Sequence, residues 1–192
     1  MSQREKPHPM TLTREDTALV VCDVQERLFP VMDADHREEV MQNIKILATS
    51  ARRLGVPTLV TEQYPKGLGH TLQELRDILG PGVEPMTKVT FSCGAAATFR
   101  ARLEATGARQ VVLTGIESHV SVLLSALDLI ALGYPVQVVA DAVTSRTQAN
   151  WRLAMDQLRQ AGAVVTGTES VLFQLLRQGD TDEFRELARL IR

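Results

Sequence analysis

The chain has 192 residues, long enough for one well-buried core, and nothing in its composition asks for a second. Apolar residues make up 44% and charged residues 23%, a balance that sets aside wholesale disorder and the fibrous classes. With 21 Lys and Arg scattered among 23 Asp and Glu, a net charge of -2 offers no general attraction to nucleic acid or anionic lipid.

Residues 1–13 read as a polar, Pro-containing tail without the apolar stretch of a signal peptide, and residues 14–192 as a single domain. No run reaches the ~20 apolar residues that span a bilayer. The first apolar run, Ala18 to Val24, predicts a buried strand. A loop with Phe29 and Pro30 leads to Val40, Ile44, Leu47, Ala51 and Leu54, whose spacings of three and four put them on one helical face. Further strands are expected at Pro57 to Thr61, Glu84 to Thr87, Gln110 to Thr114, Pro135 to Ala140 and Ala163 to Thr166. Gly55, Gly107, Gly133 and Gly162 each stand between a helical stretch and the next apolar run, where a left-handed residue stops a helix. Such alternation is the signature of βαβ units, hence an α/β fold around a parallel sheet. The last stretch, Asp182 to Arg192, is helical in pattern and suits either a cover or a contact surface.

Cysteine is rare. Cys22 and Cys93 form no CxxC or Cys/His cluster, which fits a reduced, cytoplasmic protein, with Cys93 read as a small buried residue.

Ligands of such sheets bind beyond the carboxyl ends of the strands, near the point where strand order reverses. There the sequence carries Asp23-Val24-Gln25, Met86-Thr87-Lys88 and Gly115-Ile116-Glu117-Ser118-His119-Val120-Ser121-Val122. Each residue alone has a plain explanation, since Asp and Ser cap loops and helices and Lys is usually solvated. Residue 121 is expected in the first turn of a helix with an apolar face of Val120, Leu123, Leu124, Leu127 and Ile130, where unpaired N–H groups favour an anion. His119, two residues away, would point to another face, so it is read as structural or interfacial. Asp141, Ser145 and Arg146 are explained by a helix cap at Ser145 and a packing salt bridge.

Taken together these motifs resemble the isochorismatase-like hydrolases, which carry Asp-x-Gln after the first strand, Lys after the third and Gly-x-x-x-x-x-Cys-Val after the fourth. The resemblance covers Thr17 to Leu176, including Glu62-Gln63-Tyr64-Pro65-Lys66-Gly67-Leu68-Gly69, which is similar to the isochorismatase-domain-containing subgroup. It implies a three-layer α/β/α, Rossmann-like fold with six parallel strands in the order 3-2-1-4-5-6. Asp23 and Lys88 would be catalytic together with residue 121, the Glu117 and Ser121 amides would hold an oxyanion, and the Ile116-Glu117 bond would be cis. Gln25, Phe29 and Tyr64 would face a small-molecule substrate. The metal ligands of nicotinamidases are missing from Glu62 to Lys66, so no metal or cofactor is expected; self-association into a homo-oligomer is.

This chain departs from the pattern at one atom, with Ser121 in the nucleophile's place. A thiol ionises readily beside a lysine, whereas a serine alkoxide must be made by a base during the reaction. Three explanations stay open: a true serine hydrolase of an ester or amide, a vinyl-ether hydrolysis resting on Asp23 alone, or replacement of an original cysteine. A binding or scaffold protein that has lost catalysis is the rival from another class.

Overall fold

The structure, a computed structural model, describes residues 8–191. Its six strands are β1 (Thr17–Cys22), β2 (Thr58–Gln63), β3 (Met86–Lys88), β4 (Gln110–Ile116), β5 (Val136–Thr144) and β6 (Val164–Thr166). All pair in parallel, in the order β3-β2-β1-β4-β5-β6. Strand order therefore reverses between β1 and β4.

Eight helices connect and cover the sheet: α1 (Arg37–Leu54), α2 (Pro65–Leu68), α3 (Gln73–Leu79), α4 (Ala97–Ala105), α5 (Leu123–Ala131), α6 (Gln148–Gln160), α7 (Thr168–Leu176) and α8 (Asp182–Leu187). Two cores result. Leu19 and Val21 of β1 pack with residues of α1, α3 and α7, while Ala18, Val20 and Cys22 face α4, α5 and α6. Burial on both faces is why β1 reads as an unbroken apolar run rather than an alternation. The five apolar positions expected on one face of α1 are all buried. Gly55 ends that helix in the left-handed conformation at φ 70°, with its amide on the Ala51 carbonyl.

Four local expectations are corrected. β5 continues past Ala140 to Thr144, because its register with β4 shifts between Leu113 and Gly115 and pairing resumes at Val143 and Thr144. Asp141, in the intervening excursion, accepts from the Thr168 amide and hydroxyl and so anchors the start of α7. The cap of α6 is Thr147, whose hydroxyl accepts from the Asn150 amide; Ser145 is buried and bonded elsewhere. On α5 Leu123 is buried and Ile130 packs against the core as expected, but Ser125, Ala126 and Leu129 complete the inward face, and Leu124 and Leu127 look outward, each 39% exposed. The small side chains let α5 lie close to the loop after β3, where the Ser125 hydroxyl accepts from the Cys93 amide at 2.9 Å.

Both ends of the described chain are docked. Residues 1–7 of the expected tail lie outside the described residues, but over residues 8–13 Leu12 is buried and the Pro9, Met10 and Thr11 carbonyls accept from Gln110 and Gln137. At the other end α8 buries Leu187 against α1, and Arg53 bonds Glu186 at 2.7 Å, so this stretch is a cover. Among the described residues no helix is long and apolar enough to cross a membrane.

Candidate active site

Asp23 leaves the end of β1 with φ 54°, a left-handed turn that aims its side chain across the switch point. Its carboxylate is wholly buried. Oδ1 accepts from Thr61 Oγ1 at 2.7 Å; Oδ2 accepts from Ser121 Oγ at 2.6 Å and from Lys88 Nζ at 2.7 Å. The three residues named from the sequence thus meet on one carboxylate, and one oxygen is shared by hydroxyl and ammonium.

Backbone features bring them there. β1 and β4 pair with Gly115 opposite Cys22, the residue before Asp23. A Cβ at Gly115, where φ is 109°, would lie 2.1 Å from the Cys22 carbonyl oxygen. Glycine is therefore what allows the strand leading to Ser121 to pass so near the strand leading to Asp23. The Ile116–Glu117 bond is cis. The next five residues, Ser118–Val122, form a π-helical turn before α5 begins, and its Ser121 is buried against Asp23. Such one-turn insertions recur at functional sites because the extra residue re-aims a side chain.

Lys88 ends β3 with its ammonium almost fully buried. Beyond Asp23 it donates to Gln63 Oε1 at 2.8 Å, Phe91 O at 2.9 Å and Thr90 O at 3.3 Å. Thr61, Gln63 and these two carbonyls were not singled out from the sequence as members of the site. The alternation of Thr61 and Gln63 along one strand carried the only signal, and it became readable once β2 was known to lie beside β1.

Other residues take varied places. The Glu117 amide immediately precedes the π-helical turn and the Ser121 amide lies within it. Gln25 is buried, and its side chain is spent on backbone: Nε2 donates to Gln63 O and Gly69 O, and Oε1 accepts from Gln63 N. Phe29 packs into the α1-side core. Tyr64 is 54% exposed at φ 38°, above Gly67. Its amide donates to the Lys88 carbonyl at 2.9 Å, which ties the start of this segment to the end of β3. Glu117 accepts from the Arg146 amide and Nε at 3.1 and 3.0 Å, and His119 Nδ1 lies 2.9 Å from Ser145 Oγ, so both hold the turn in place.

Two titratable groups nearby are displaced from their ordinary values. Burial pushes the Glu62 carboxyl up, but bonds from the Thr71 amide, the Thr71 hydroxyl and His70 outweigh it and hold the group below the usual range. A hydrogen bond with Cys93, burial, and the charges of Cys93 and Asp23 push the Cys22 thiol well up, against a smaller downward pull from Lys88. Among the described residues no group of three or more His, Cys, Asp or Glu could hold a metal ion.

A doubly wound parallel sheet with this cluster at its switch point defines an isochorismatase-like hydrolase fold. The chain matches the isochorismatase domain over residues 17–170, and it belongs to that family. It is 39% identical over 177 residues to isochorismatase domain-containing protein 1 of Salmo salar, covering 92% of this chain but 61% of that relative, so the chain spans about three fifths of the relative's length. Among solved structures it is similar to the MAR1 ribonuclease of Caenorhabditis elegans, with a TM-score of 0.87, 37% identity, and 94% and 91% of the two chains covered. The YcaC gene product of Escherichia coli, described as an octameric hydrolase of unknown specificity, aligns with a TM-score of 0.89 at 26% identity over 97% and 91% of the chains.

Proposed function

We propose that this protein is a hydrolase of a small amide or ester, acting by acyl transfer through Ser121 with Asp23 as base and Lys88 as electrostatic anchor. One observation carries this reading: Ser121 Oγ donates to Asp23 Oδ2 at 2.6 Å while Lys88 Nζ binds the same oxygen. The hydroxyl proton already points at its acceptor, and no rearrangement is needed before attack.

In the first half of the reaction Oγ forms a bond to the carbonyl carbon as its proton passes to Asp23 Oδ2. The carbonyl oxygen takes the negative charge, for which the Glu117 and Ser121 amides, at the start of the turn that carries the nucleophile, would be the donors. Collapse breaks the bond to the leaving nitrogen or oxygen, which takes the proton from Asp23. Water then attacks the acyl-serine, gives its proton to Asp23, and Oγ leaves with a proton returned from the same carboxyl. Carboxylate, ammonium and hydroxyl are restored. Apart from the substrate and one water, every step uses only side chains and amides of this chain.

Vinyl-ether cleavage is less well supported, because it needs Asp23 to present a proton where two donors already point. The network is likewise complete in a way that a silent binding protein would have no reason to keep. A thiol at residue 121 would fit the same frame and be the better nucleophile. Turnover of a panel of amides, esters and a vinyl ether tests the proposal. Amide or ester hydrolysis should be lost in Ser121→Ala and in Asp23→Ala, and rise in Ser121→Cys. Activity that survives Ser121→Ala but not Asp23→Ala would move the assignment to the vinyl-ether route, and silence of both the serine and cysteine forms on every substrate would favour the binding role.

A further inference from the structure

Two side chains of β2 divide the Asp23–Lys88 ion pair between them. Alternate residues of a strand share a face, so Thr61 and Gln63 both look toward the pair while Glu62 between them turns to His70 and Thr71. Thr61 Oγ1 serves the carboxylate and Gln63 Oε1 the ammonium. The other end of the Gln63 amide is fixed as well: Nε2 donates to Val89 O at 2.9 Å, which settles which atom meets Lys88. Its backbone is clamped by Gln25, which accepts from Gln63 N at 2.7 Å and donates to Gln63 O at 3.0 Å.

An ammonium has three protons to give. Lys88 Nζ already has four oxygen neighbours, on Asp23, Gln63, Thr90 and Phe91, so it holds the centre together and has little left for a substrate. Where that ammonium sits is decided by its neutral partners. Of these Gln63 is the only side chain, and it lies one residue before the 64–69 segment whose Gly69 carbonyl Gln25 also holds.

From this geometry we infer that Gln63 is a positioning residue: its neutral amide oxygen holds the Lys88 ammonium on the Asp23 oxygen shared with residue 121, and links the Gln25-clamped 64–69 segment to that centre. Neutrality is essential to the role. A carboxylate there would draw the ammonium toward itself and cancel part of its field at residue 121. A hydrocarbon there would free the ammonium to lean toward the Thr90 and Phe91 carbonyls. The inference rests on Asp23, Lys88 and residue 121 being the reacting centre, and it is independent of which substrate they act on.

Ser121→Cys provides the reporter, since a thiolate is stabilised by an adjacent ammonium and its titration reads the field at residue 121. The rate of iodoacetamide alkylation of Cys introduced at 121 is followed against pH, with Cys22 and Cys93 tracked separately by peptide mapping. The single variant sets the reference titration, raised by the contacting Asp23 carboxylate and lowered by the Lys88 ammonium on the same oxygen. Adding Gln63→Glu should move that titration up and cut alkylation at pH 7 about tenfold, one pK unit; adding Gln63→Leu should cut it roughly threefold by releasing the ammonium. Thermal melts report folding, and if the glutamate variant fails to fold the leucine variant carries the test. A purely structural role would lower the melting midpoint and leave the titration unmoved, which overturns the inference. A titration in Ser121→Cys that adding Asp23→Asn leaves unmoved overturns the reacting-centre reading beneath it.

Discussion

Replacing Gly115 by alanine tests how the centre is assembled. The new Cβ would lie 2.1 Å from Cys22 O and 2.5 Å from Cys22 N, both backbone atoms of the neighbouring central strand. No flexible side chain is there to give way, and Cys22, Ile116 and the residues around them are fully buried on both faces. Overpacking of a core costs about 1–3 kcal/mol, and a left-handed φ, 109° here, adds roughly 1–2 kcal/mol for a residue with a Cβ. The sum, about 2–5 kcal/mol, is a large share of the ~5–15 kcal/mol that holds a typical domain folded. At about 2–4 °C per kcal/mol for a chain of this size, the thermal midpoint followed by circular dichroism should fall by roughly 4–20 °C. Gly55→Ala is the control, because φ is 70° but nothing lies within 4 Å of the added atom; only the conformational penalty of roughly 1–2 kcal/mol applies. Since Cys22 directly precedes Asp23, any relief of the clash must also move Asp23 away from Ser121. Equal, mild losses in the two variants would refute the argument that β1 and β4 are held at this approach by the absence of a side chain.

Three other outcomes follow from the same structure. Glu62 is held below its usual range, so its stabilisation is present above the ordinary glutamate value of about 4.3 and is lost as pH falls through the depressed folded value; Glu62→Gln should flatten the acid limb of stability below that pH, and an unchanged acid limb in urea unfolding would contradict the bonding at Thr71 and His70. Cys22 and Cys93 are both fully buried, and the Cys22 thiol is pushed up, so native protein at pH 8 should resist iodoacetamide and react at both positions only when unfolded; rapid native labelling would count against the packing. Leu124 and Leu127 are each 39% exposed on α5, so Leu124→Glu with Leu127→Glu should leave the thermal midpoint almost unchanged; a fall of more than about 5 °C would show that they pack inward.

The degree to which the sequence was readable varied with how local the cause was. Glycine stops and β-branched runs act within a few residues, and both marked elements that the structure contains. The extension of β5 was hidden because it depends on a register shift against β4, a strand more than 20 residues earlier. On α5 the sequence places Leu123 and Ile130 correctly but not Leu124 and Leu127, because close approach to the Cys93 loop takes the small Ser125 and Ala126 in preference to the more apolar leucines. Gln25 and Phe29 stand where family resemblance points to substrate, but one clamps backbone and the other fills a core. Nothing in their residue types distinguishes those tasks.

By itself the sequence determined the class of fold, because periodicity and glycine punctuation are properties of neighbouring residues, and its strand-end motifs, through family resemblance, pointed to Asp23, Lys88 and residue 121. Only the tertiary structure decided that Ser121, 98 positions along the chain, would donate to the very oxygen that Lys88, 65 positions along, also binds. It alone added Thr61 and Gln63 to the pair. The reason is physical: sheet order and the close passage at Gly115 set these distances to within tenths of an ångström, and both depend on how strands remote in the chain pack together rather than on the residues beside each one.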